Sequence, residues 1–297
     1  MGIYKAIADH NSHFANLKIP PIFINDLPNT SENDRNRNND LIYREHGNIF
    51  NTTPRCGCGK TCGERFIGVI ARCCDTEVTP VLESNLESRM WMRVPKGIGT
   101  TVFLNHSIYN LLSDYFRRKK KTPRDNYVVE TTSKPKRAQE VFNPIQWLMS
   151  TDYHPKNAEA FVAIMEKHGF KRGYSYFVNN FPAILDKLFK IPEFNTPLSQ
   201  KGPKRAKLIE VLNRSNKAIF CHYLPLISRD LVVVEKESIS RYMDATVPLA
   251  VNAARQLLGI DTPGCELRTA ARENRTAKAI IGLANFTLEY GRNKHRI

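Results

Sequence analysis

Five of the seven cysteines in this 297-residue chain fall between Cys56 and Cys74, in the run RCGCGKTCGERFIGVIARCCD. The spacing is C-x-C-x3-C, then ten residues, then an adjacent pair. Thiolates are soft ligands, and four of them at about 2.3 Å close a structural zinc site. Gly57, Gly59 and Gly63 interleave with the cysteines and let the backbone turn tightly around an ion. The expected ligands come from Cys56, Cys58, Cys62, Cys73 and Cys74, with His46 or His106 as substitutes. Arg65 to Arg72 reads as a strand between the two groups, which fits a small zinc ribbon. Two other readings stay open: buried thiols in a strand hairpin, since free Cys is among the most buried residue types, and a redox pair.

Other chemistry is harder to place. Gly59-Lys60-Thr61 matches the end of the phosphate-loop pattern G-x-x-x-x-G-K-[ST], but the position five residues before Gly59 is Pro54, which lacks the N–H a phosphate nest needs. There is no H-E-x-x-H, no G-x-S-x-G and no G-x-G-x-x-G. Asp75, Glu77 and Glu83 read as surface carboxylates. Tyr109, Tyr115 and Tyr153 have no His-x-His partner. The chain is therefore expected to bind rather than to catalyse.

What it binds is suggested by charge. Lys and Arg number 44 against 29 Asp and Glu, a formal charge of +15. An excess of this size points to a polyanion, most often nucleic acid. Arg117, Arg118, Lys119, Lys120 and Lys121 form the densest run. Neutralising about six duplex phosphates would give log K against log salt a slope near −5. No apolar run approaches the roughly 18 residues of a membrane span, and the first residues open no secretion-signal core. A reducing, cytoplasmic (bacterial) or nucleic-acid-associated setting is expected, without membrane or secretion.

The elements that position these groups centre on 204–260. Lys204 to Cys221 reads as a basic helix carrying Lys204 and Arg205. Leu231 to Val234 is a β-branched run that reads as a strand. Ser238 is placed to cap a short helix, Ile239 to Met243. Asp244-Ala245-Thr246 reads as a turn, and Pro248 to Leu258 as a second helix ending at Gly259. That order is a winged helix-turn-helix, whose second helix enters the major groove. Ala250, Ala254, Leu257 and Leu258 would pack inward. Asn252, Arg255 and Gln256 would face the bases, with Thr246 at the turn.

Residues 204–243 also resemble the central part of RepA-type plasmid replication initiators, through Phe220, Cys221, His222, Tyr223 and then Arg229 to Val234. Ala160 to Phe177 is similar to a helix and turn of the same family. The resemblance spans about Val141 to Ile260 and implies a winged-helix protein that recognises origin DNA. The cysteine-rich half has no counterpart in that family.

Elsewhere the reading is coarser. Residues 1–50 are expected to be mostly flexible, with Pro28 to Asp40 a linker and Lys18 to Leu27 an edge strand. Trp91 to Val94 and Thr101 to Leu104 read as strands, followed by a helix through Leu111 to Phe116. Residues 122–138 read as a basic linker between a Cys-rich α+β domain, 51–121, and a helical winged-helix-like domain, 139–297. Tyr176, Phe177, Phe181, Leu185 and Leu188 read as core. Arg268, Arg272 and Arg275 share a basic stripe on the last helix. The fold class is α+β, and the partner is double-stranded DNA bound by a homodimer. The rival reading is a viral or phage protein that binds RNA or single-stranded DNA without reading bases.

Overall fold

The computed structural model describes residues 7–46, 54, 56–78, 88–119, 140–194, 202–227, 233–237, 240–243 and 246–294. It is a mixed α+β chain, mainly helical, with small sheets.

The N-terminal region is more ordered than its composition suggests. Asp9 caps α1 (His10–Ala15), and β1 (Ile22–Phe23) follows. Pro28 to Asp40, expected to be a linker, is largely α2 (Glu32–Ile42). The helix lacks apolar periodicity, but Ser31 and Asp34 form a capping box that satisfies its first donors. Asn38 then donates to Pro28 O at 2.8 Å, and Ile42 is buried. Strand β2 (Arg44–His46) comes next.

The cysteine run builds its own unit. Arg65 to Arg72 is not one strand. Glu64–Phe66 is a 3-10 turn, Gly68 takes φ 80°, and only β3 (Ile70–Ala71) pairs with β4 (Thr76–Glu77). Cys56, Ala71 and Val78 form a small core separate from the main one.

Strands β5 (Met90–Arg93) and β6 (Phe103–Leu104) lead to α3 (His106–Phe116), which Asn105 caps. Strands β7 (Arg118–Lys119) and β8 (Glu140–Phe142) pair with each other. Four helices follow: α4 (Pro144–Met149), α5 (Glu159–Lys167), α6 (Tyr174–Asn179) and α7 (Phe181–Lys190). Pro182 sits in the first turn of α7, where its missing N–H costs nothing. Next come α8 (Gly202–Arg214), β9 (Phe220–Cys221), β10 (Tyr223–Pro225), β11 (Val233–Glu237) and β12 (Ser240–Met243). The chain closes with α9 (Val247–Leu257) and α10 (Thr269–Lys294).

One expectation is corrected here. The short helix expected over Ile239 to Met243 is not seen: Ser240–Met243 is a strand antiparallel to β11, with Val234 opposite Met243. The β-branched run and Tyr242 favour the sheet over a five-residue helix. Among the described residues, no helix pair joined by a tight turn precedes α9. Leu231, Val232, Ser238, Ile239, Asp244 and Ala245 lie outside the described residues.

Residues 122–138 lie outside the described residues, and the described residues on either side of them share one buried cluster. Strand β5 stands between β1 and β10, β6 pairs with β9, and α3 packs on α4 and α10. Phe103 and Phe116 from before 122–138 join Phe142, Tyr174 and Phe177 from after it in one buried cluster. Phe177, Phe181, Leu185 and Leu188 are buried, as expected for core.

Candidate metal centre and basic surface

Two tight turns bring the cysteines together. In the first, Cys56 N–H donates to Thr61 O at 3.0 Å and Gly59 N–H to Cys56 O at 2.9 Å, with Gly59 at φ 76°. The second joins β3 to β4; Asp75 takes φ 53° and its N–H reaches Ala71 O at 2.8 Å. Cys56, Cys58, Cys73 and Cys74 then present sulfurs that all lie within 4.8 Å of one another.

The distances fit a tetrahedron. Sulfurs bound at about 2.3 Å stand about 3.8 Å apart. Here Cys56–Cys58 is 3.5 Å, Cys56–Cys73 3.6 Å, Cys58–Cys73 3.4 Å and Cys73–Cys74 3.9 Å. Surrounding groups orient them. Thr61 N–H donates to Cys56 Sγ at 3.3 Å, and the Thr76 hydroxyl lies 3.0 Å from Cys74 Sγ. Such outer contacts fix ligand orientation. The Thr61 N–H, helped by the neighbouring thiols, holds the Cys56 thiol down at about 6. Cys58 feels the Lys60 N–H pulling down, but the Cys73 thiol and burial push it up to about 12.

Of the five expected ligands, Cys62 is exposed and outside the group. His106 is elsewhere, half-buried and stacked on His10 at 5.4 Å. His46 lies in β2.

The expected nucleic-acid contacts separate into two kinds. Lys204 and Arg205 are exposed on the first turns of α8, with Arg205 lying 4.8 Å over the Phe189 ring. Lys207 is exposed beside them and was not singled out by sequence. Asn252 and Arg255 are exposed on α9, and Gln256 is half-buried. Arg255 Nη2 donates to Asn39 on α2 at 3.1 Å. Arg268 is exposed and Arg275 half-buried. Arg117 pairs with Asp114 at 2.7 Å, and Arg118 and Lys119 form β7. Lys120 and Lys121 lie outside the described residues.

Two residues are tied into the fold. Thr246 is 5% exposed, at the buried start of α9. Arg272 donates to Leu267 O, Ile260 O, Lys96 O, Cys265 O and Asp261, so its donors are turned into the fold. The spacing that put it in a basic stripe placed it correctly on α10, where these bonds engage its guanidinium.

No protein-family model matches this chain, and no curated protein is significantly similar to it. Among the described residues, no helix is long and apolar enough to cross a membrane. The fold and the site define an α+β chain with a four-thiol cluster suited to a metal ion and with a basic helix at its surface.

Proposed function

We propose that the chain binds double-stranded DNA as the replication initiator of a plasmid-like element, with zinc holding the cysteine unit. One observation carries the DNA reading. Lys204 and Lys207 project from the first turns of α8 without an ion-pair partner among the described residues, in a chain of charge +15. Exposed cations left unpaired by their own protein are suited to phosphates. Zinc is favoured because four thiolates at tetrahedral spacing suit it, and because the core of Cys56, Ala71 and Val78 is too small to hold a fold unaided.

In this reading the β11–β12 hairpin acts as the wing, with Lys236 in register with Arg241. Helix α9 offers Asn252 and Gln256 to base edges, while α8 and Arg268 follow the backbone. The replication role rests on the resemblance around Phe220 to Tyr223. A homodimer would read paired half-sites.

Fluorescence anisotropy against duplex DNA over a salt series tests this. Lys204→Ala with Lys207→Ala should weaken binding uniformly across sequences and flatten the log–log slope by about 1.8. Asn252→Ala with Gln256→Ala should change base preference instead. Tighter binding of single strand or RNA than of any duplex would overturn the duplex reading.

A further inference from the structure

The hairpin of the cysteine unit leaves apolar surface bare. Ile67, Val69 and Ile70 are 45%, 47% and 66% exposed, close together in the chain. Val69 leads into β3 and Ile70 lies on it, and among the described residues β3 pairs only with β4. A lone two-stranded hairpin is marginal, and a bare apolar edge strand is a template for another strand. The backbone of this edge is open as well. Val78 N–H donates to Val69 O at 3.0 Å, so the Val69 carbonyl points at the β4 side. The Ile70 N–H lies on the opposite side of that planar trans peptide. In an extended strand the Ile70 C=O points the same way as its N–H, so both face the free edge.

Charge selects what can lie there. In a chain of +15, residues 56–78 set Lys60, Arg65 and Arg72 against Glu64, Asp75 and Glu77, and so carry no net charge. Four thiolates outnumber the charge of one Zn²⁺, which makes the loaded unit anionic. Phosphate backbones and anionic membranes attract basic surfaces, so neither suits this one. A second copy does, because two chains this basic repel each other elsewhere. We propose that two copies dimerise by pairing β3 with β3, antiparallel about a two-fold axis at Ile70, so that two hairpins become one four-stranded sheet. The Ile70 N–H and C=O of each copy then bond those of the other, and the exposed aliphatic side chains are covered. The same register sets Arg72 of one copy against Gly68 of the other. A Cβ at Gly68 would stand 4.0 Å from Glu77 Oε1, so Arg72 meets that carboxylate across the axis. This gives an interface to the homodimer of the DNA reading and rests on that reading for nothing else. It uses no residue assigned to DNA, so the two fail separately.

Sedimentation velocity of the nuclease-treated full chain over a dilution series tests it. The parent should dimerise with rising concentration. Ile70→Pro removes only an outward N–H at an edge position. It should weaken dimerisation at least tenfold while zinc content and binding to a single half-site duplex stay unchanged. Arg72→Glu should weaken dimerisation at least threefold, and adding Glu77→Arg should restore it. In the parent, hydroxyl-radical labelling of Ile67, Val69 and Ile70 should rise on dilution, a readout that needs no variant to fold. A parent that dimerises but ignores duplex DNA supports this interface and sinks the DNA reading alone. The proposal is overturned by a monomeric parent, by Ile70→Pro dimerising as tightly as the parent, by a charge swap no tighter than Arg72→Glu, or by labelling that ignores dilution. A monomeric parent that floats with phosphatidylserine vesicles would assign the edge to a membrane instead.

Discussion

The Asp261 carboxylate accepts from Arg272 Nη1 at 3.1 Å through one oxygen, and its other oxygen takes Arg93 Nη2 at 3.1 Å. The Asp261 side chain is fully buried. The same carboxylate receives Lys96 N–H at 2.9 Å, and Arg272 ties the 260–267 turn to the start of α10. Arg93 Nη2 also pairs with Asp26 at 2.6 Å, so removing the charge would leave Arg93 with that one carboxylate and Arg272 with none, the costly way to break a buried pair. Asp261→Asn should therefore destabilise the fold by roughly 3–5 kcal/mol in urea unfolding. A loss below about 1 kcal/mol would mean that the cluster is solvated like a surface pair.

Arg272→Lys should also fail to rescue, although it keeps the charge. Lysine cannot reproduce a fork that meets four carbonyls and a carboxylate. Retention of parental stability would show that charge alone matters there.

These roles explain what was and was not legible. Local sequence placed α3 and α9 within a few residues, because apolar periodicity is written locally. The strands Trp91 to Val94 and Thr101 to Leu104 were equally visible. The partners of Arg272, however, are as distant as Lys96, so nothing near it separates a clamp from a phosphate contact. Helix α2 was missed because a capping box, not an apolar stripe, starts it. Four of the five proposed thiol ligands come together, but spacing could not exclude Cys62, since a turn at Gly59 decides which sulfurs face inward.

That exclusion has a measurable consequence. Metal analysis of the purified chain should give one zinc per molecule. Cys62→Ala should keep it, whereas Cys73→Ala should lose it, because Cys73 contacts Cys56, Cys58 and Cys74. Cobalt substitution should give the visible spectrum of tetrahedral thiolate coordination in the parent and in Cys62→Ala. Equal metal content in both variants would rule out this ligand set.

Helices α9 and α10 approach closely where Gly282 faces Ala253. A Cβ at 282 would stand 2.8 Å from Ala253 Cβ and 3.1 Å from its Cα. The obstacle is backbone and a methyl group, neither of which can rotate away. Gly282→Ala gains up to about 1 kcal/mol of helix propensity, but overpacking costs about 1–3 kcal/mol. The variant should unfold at lower temperature, and Ala253→Gly should restore part of the loss. A stabilised Gly282→Ala would mean that the helices part at little cost.

The stacked pair His10 and His106 sets the acid limit. Burial lowers both, His10 to about 4, with His13 adding to it against Asp9, and His106 to about 3, with His10 adding. Both nitrogens of His10 and Nδ1 of His106 are shut off from water and have no hydrogen-bond partner among the described residues, so no acceptor there waits for a proton. Both are neutral when folded, while the unfolded chain protonates them near 6.5. The unfolded state thus binds more protons, and stability must fall as pH drops below 6.5. From pH 7.5 to 5 the loss should be roughly 2 kcal/mol per histidine. Asp9 and Asp34 are also lowered, but their contribution fades only below 3.8, outside this window. Urea unfolding at the two pH values measures the loss. His10→Phe with His106→Phe should remove most of it, and an unchanged pH dependence in that double variant would place the titrating groups elsewhere.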